Sequence, residues 1–141
     1  MKIAGVSLAL LPIAGFAALS AIGGALGLSL FNGMRIPLEY LRFTPVTSYV
    51  IPGLILGVVG GSALAAVLLL LQRRRLAYLA AFAAGALMTG WMIAEGLLMR
   101  QFSWLQLGYL VIGLALMGLA VLPFLQAWRQ SHILIADYSA R

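Results

Sequence analysis

The chain has no cysteine, one histidine and three acidic side chains. Without cysteine there is no disulfide, no thiolate metal site and no cysteine-held haem or iron–sulfur cluster. His132 lies in the C-terminal tail, so a haem inside a helix bundle would lack histidine ligands. Along the sequence there is no glycine-rich nucleotide loop, no nucleophile set beside a base, no pair of carboxylates and no metal-ligand cluster. An enzyme would have no residues to stand on, and neither a cofactor nor a metal is expected.

Charge of either sign is scarce. Charged residues make up 9% of the 141 residues and hydrophobic ones 64%. A water-soluble domain of this size cannot hide so much apolar surface. The lipid bilayer is the expected surrounding. The net charge of +6 would suggest nucleic acid in a soluble protein. Here the basic residues fall between apolar runs, which is the pattern that sets membrane topology, and no nucleic-acid partner is expected.

What is present in abundance is hydrophobic length. Four runs, about residues 3–31, 49–71, 76–99 and 105–125, can each cross about 30 Å of hydrocarbon at about 1.5 Å per residue. They are apolar all round, so length rather than periodicity identifies them. The expected fold is all-α: an integral membrane four-helix bundle, one transmembrane domain over residues 1–141. The first run begins after Met1-Lys2 and contains Ala18, Ser20 and Ala21, as a cleaved signal peptide would. It is about twice the length of a signal-peptide core, so it is read as a retained helix. Cleavage would leave three helices.

Loop 32–48 is the longest connection. It mixes Ile36, Leu38, Tyr40, Leu41 and Phe43 with Arg35, Glu39 and Arg42, a composition suited to a partly ordered segment at the membrane interface. Lys2, Arg73, Arg74, Arg75, Arg129 and Arg141 fall on one side of the bundle, and Arg35, Arg42 and Arg100 on the other. The excess places both termini, the triple-arginine turn and the tail 126–141 in the cytoplasm, with loop 32–48 facing outward. The expected location is a bacterial plasma (inner) membrane.

The stretch GWMIAEGLLMR, residues 90–100, carries Glu95, the one acid in any of the four runs. It lies about one turn from the outer end of helix 3, where an acid is less costly than the about 2.5–3.5 kcal/mol of the bilayer centre. Arg35 or Arg42 from loop 32–48 is the expected partner. Arg100 is a poorer one, being five residues on and about 140° around the helix. Two uses follow. In one, Glu95 and the arginines form a polar clamp that ties the loop to the bundle. In the other, Glu95 is a proton or cation site in an outward-facing cavity, with Trp91, Tyr40 and Tyr49 as an aromatic cage. Aromatics at that end also include Trp104, Tyr109 and Phe102, as in an ordinary interfacial belt. Proton-coupled small multidrug transporters are similar in size class alone: their acid is in helix 1, which here has none.

Small residues mark helix packing. Gly53, Gly57 and Gly61 recur every four residues in helix 2, and Gly23 and Gly27 do so in helix 1. Such ridges allow close helix approach within the bundle or in a homo-oligomer. Pro12 is expected to kink helix 1, whereas Pro52 opens helix 2 where its missing N–H matters little.

Several of these features recur together. Pro37-Leu38, Thr44-Pro45, the run Tyr49-Val50-Ile51-Pro52-Gly53, the cluster Arg73–Arg75, Trp91 with Glu95, and Leu105-Gln106 span residues 30–122. In these the chain resembles a group of small, uncharacterised bacterial four-helix integral membrane proteins. It departs from them at Leu107, where proline is usual, and at Glu95, where an amide is frequent. The resemblance brings no activity with it, but an amide at that position favours the clamp over obligate proton transfer. The leading expectation is a non-enzymatic accessory or structural membrane protein with a membrane-protein partner. The alternative is a small transporter or ligand-binding protein using Glu95.

Overall fold

A computed structural model describes residues 3–31, 36–100 and 102–139, without the side chains of 3, 4 and 130–139. Four long helices, α1 (Ile3–Leu30), α2 (Val50–Leu71), α3 (Leu76–Met99) and α4 (Trp104–Ser139), follow one another with a single turn of 3-10 helix, Leu38–Leu41, between α1 and α2. Each contains a segment long and apolar enough to cross a membrane: Gly5–Leu30, Val50–Leu71, Leu76–Met99 and Trp104–Arg129. Packing runs around a ring, α1 on α2, α2 on α3, α3 on α4, with a thinner seam closing α4 on α1.

The interior is built of small residues. Ala14, Ala17, Ala63, Ala66, Ala81 and Ala84 are all buried at 1% exposure or less. Large side chains such as Leu8 (76%), Leu19 (78%) and Leu97 (68%) point out. This is the arrangement that suits a lipid surrounding. Helices gain nothing there by hiding leucine from lipid, and gain dispersion contacts by close approach of small residues. Gly85 and Gly113 show how close. A Cβ on Gly85 would lie 2.6 Å from the Gly113 carbonyl oxygen, so α3 and α4 meet backbone to backbone.

Three expectations need correction here. First, the ridge on α2 is Gly53, Gly57 and Gly60, not Gly61. A Cβ at Gly60 would stand 2.9 Å from the Ile22 backbone nitrogen, whereas one at Gly61 meets nothing within 4 Å. Seven residues return a helix to within about 20° of its starting face, but eight overshoot it by about 80°. Second, Gly23 faces open space, and Gly24 abuts Leu56 instead. Position 23 lies about 200° from buried Ala21 around the helix; Gly27 is buried. Third, the tail does not leave the helix near residue 125: α4 continues to Ser139. No glycine or proline follows Pro123, so nothing in that stretch breaks the helix.

The α2–α3 turn is tight. Arg73 takes a left-handed backbone (φ 53°). Its N–H donates to Leu70 O at 3.0 Å, and that of Arg74 to Leu69 O at 3.0 Å. This is the paired bond of a Schellman ending, with arginine where glycine is the usual residue. At the other end of α2, Gly53 N–H makes the first helical bond, to Tyr49 O at 2.9 Å. Pro52 therefore occupies a first-turn position whose N–H has no helical acceptor.

Candidate functional site

The site lies at the end of the bundle where α1 and α3 finish and α2 and α4 begin. Trp91 and Glu95, four residues apart, project from one face of α3. Opposite them, α4 starts with a capping box. The Ser103 hydroxyl accepts from the Gln106 backbone N–H at 3.2 Å, and the Ser103 N–H donates to Gln106 Oε1 at 2.8 Å. With its oxygen held in this way, the Gln106 amide turns its nitrogen towards α3. Nε2 donates to Glu95 Oε2 at 3.2 Å. The cap therefore fixes which way the amide points.

Loop residues close the site from above. Tyr49, 2% exposed, sends its hydroxyl to Pro37 O at 2.8 Å. Burial, and secondarily the nearby Tyr40, push the Tyr49 phenol above its ordinary pKa, so it retains the proton it donates. Thr44 turns the chain after the 3-10 segment, its hydroxyl donating to Leu41 O at 2.8 Å.

The expected arginine clamp on Glu95 takes a different form. The Arg42 and Arg100 guanidinium carbons lie against the Phe43 ring, 4.6 and 5.0 Å from its centroid. Arg100 is also left-handed (φ 53°) as the C-cap of α3, which swings its side chain back towards the loop. The loop is thus tied to the end of α3 through Phe43, while Glu95 pairs with an amide of α4. A guanidinium gains about 0.5–1 kcal/mol on an exposed ring face, so Phe43 holds both of these arginines. Arg35, the third member of the expected clamp, lies outside the described residues.

Glu95, Trp91, Tyr40, Tyr49, Gln106 and Tyr109 share the wall of one cavity of about 670 Å³. Among the described residues no buried side-chain oxygen or nitrogen lacks a partner. Oε2 of Glu95 accepts from Gln106, and Glu95 is part of the cavity lining. The remaining wall is chiefly apolar, from Leu28 and Pro52 to Met92, Met99 and Leu105. A space of this size, apolar with a few converging polar groups, is what a small-molecule site requires. Ser103 and Gln106 add to the residues that the sequence points to, and S-x-x-Q before an apolar run, a helix-start signature, is the signal that marks them.

No family model, no curated protein and no solved structure matches this chain.

Proposed function

We propose that the chain is a four-span integral membrane protein that binds, and in the fuller form of the reading moves, a small amphiphilic amine or ammonium ion in the Glu95 cavity. One observation carries this: Glu95 and the aromatic residues Trp91, Tyr40, Tyr49 and Tyr109 wall a single cavity. A carboxylate attracts the positive charge of an ammonium group and accepts from any N–H it carries, aromatic faces add to the attraction, and the apolar wall receives its hydrocarbon. Nothing in this set is a nucleophile beside a base, so the role is binding rather than bond-making. The inside-out distribution of alanine and leucine supports the membrane setting. The Lys and Arg count supports a bacterial inner membrane orientation with cytoplasmic termini and the cavity end outward.

The test is titration of hexyltrimethylammonium and of hexanol into the purified chain in mild detergent. The ammonium should bind, hexanol should bind at least about tenfold more weakly, and Glu95→Gln should remove the difference. Equal binding of the two compounds, or no effect of Glu95→Gln, would contradict the proposal. Labelling of a Thr47→Cys reporter from the cytoplasmic side alone would reverse the orientation.

An accessory or structural role, with a membrane-protein partner or a second copy, is the second reading. It is favoured by the α2 face at Gly61 and Ala65, which is exposed among the described residues. A partner that co-purifies stoichiometrically in mild detergent would support it.

A further inference from the structure

A second cavity, of about 950 Å³, lies at the opposite end, across the thin seam between α1 and α4. Its mouth carries Arg73, Arg74 and Arg75, all exposed. Its depth carries Ser7 and Tyr78, whose hydroxyls bond to each other at 2.7 Å. Its sides are apolar and continue onto the outer surface through Leu8, Leu71 and Phe124, which are 76%, 61% and 55% exposed. The charged residues in its lining are Arg73, Arg74 and Arg75, while Glu39 and Glu95 belong to the other end of the bundle.

We propose that this cavity binds one anionic phospholipid, its phosphate held by Arg73–Arg75 and an acyl chain laid along the α1–α4 seam. Three guanidinium groups on a four-residue turn present forked donors that match phosphate oxygens in pairs. Arg73 holds a left-handed backbone that glycine would adopt without strain, so arginine there carries a local cost. A free phosphate would use the arginines but not the apolar walls; a lipid uses both. The site rests on the membrane reading, and with the orientation proposed above it meets the cytoplasmic leaflet, which is richer in anionic headgroups. It is independent of the Glu95 cavity.

The experiment is native mass spectrometry of the full chain released from mild detergent with dioleoyl phosphatidylglycerol, dioleoyl phosphatidylcholine or inorganic phosphate. One phosphatidylglycerol should be retained at about tenfold lower concentration than phosphatidylcholine, and excess inorganic phosphate should not displace it. R73Q/R74Q/R75Q should weaken retention about tenfold. R73K/R74K/R75K keeps the charge that sets topology and loses only the fork; it should weaken retention about threefold. Equal retention of the two lipids, or unchanged retention in the glutamine variant, overturns the site. Displacement by phosphate alone reassigns it to a soluble anion and overturns the lipid. Full retention in the lysine variant reduces it to unspecific attraction and overturns it too. A chain that fails to enter phosphatidylcholine vesicles at all would instead defeat the membrane reading beneath it.

Discussion

Gln106 joins Glu95 to the first turn of α4 through both ends of one amide. Oε1 accepts from the Ser103 N–H at 2.8 Å, while Nε2 donates to Glu95 Oε2 at 3.2 Å. The cap that starts α4 therefore also positions the carboxylate of α3. Helix termination and site geometry are the same set of bonds.

Removing the cap from its two sides should separate these roles. Ser103→Ala loses the bond to the Gln106 N–H and should lower stability by about 1 kcal/mol. Gln106→Ala loses the cap's return bond and the Glu95 bond together, and should lower it further, by about 1–2 kcal/mol. Equilibrium unfolding in mixed micelles measures both. A Gln106→Ala loss no larger than that of Ser103→Ala would mean the Glu95 bond contributes nothing.

Replacing the carboxylate should depend on what the new side chain can accept. Glu95→Gln retains a carbonyl for Gln106 Nε2 and should change stability by less than about 1 kcal/mol. Glu95→Leu leaves that N–H without its acceptor and should cost about 1–3 kcal/mol. The same unfolding assay applies, and equal stability of Glu95→Leu and wild type would count against the pairing.

Adjacent glycines on α2 should respond in opposite ways. Gly60→Ala drives a Cβ towards the Ile22 backbone nitrogen, 2.9 Å away, and should destabilise by about 1–3 kcal/mol. Gly61→Ala enters open space and should be neutral or stabilising by up to about 1 kcal/mol, since alanine is the better helix former. Reversal of this order would place the α1–α2 contact on the wrong face of α2.

Arginine at a left-handed position leaves stability unused. Arg73→Gly should stabilise the fold by about 0.5–1 kcal/mol. Arg74→Gly, next to it and without positive φ, should destabilise by a similar amount. Comparing the two by unfolding tests the turn geometry, and with lipid present Arg73→Gly should lose binding even as it gains stability.

Most of the helical layout was legible in sequence because it depends on apolar length alone. The α3 limits, 76–99, are those read from sequence, and α1 and α2 differ by a residue at one end. The end of α4 was not legible by that rule, because past residue 125 the chain stays helical after it ceases to be uniformly apolar. Gly60 was hidden because a strict every-four pattern drifts off the face that a 3.6-residue helix presents. At the site, Trp91, Glu95, Tyr40 and Tyr49 were named together from their placement at one end, and they share a cavity. For Glu95, opposite charge points to the arginines, while the local S-x-x-Q signal points to Gln106, which is its partner here. The arginines are at the same end, yet Arg42 and Arg100 lie on the face of Phe43. Gln106 was within reach through its S-x-x-Q spacing, but only the folded chain brings its amide to α3.

The most direct measurement exploits the absence of native cysteine. Ser20 lines the Glu95 cavity from α1, and Ser20→Cys nearly preserves its shape. The rate at which this thiol reacts with a small cationic methanethiosulfonate reagent, with and without hexyltrimethylammonium, reads access and occupancy together. The thiol should react, the ammonium should slow it at least about tenfold, and adding Glu95→Gln should abolish that protection. A thiol that does not react, or protection that persists without the carboxylate, would contradict a ligand site built on Glu95.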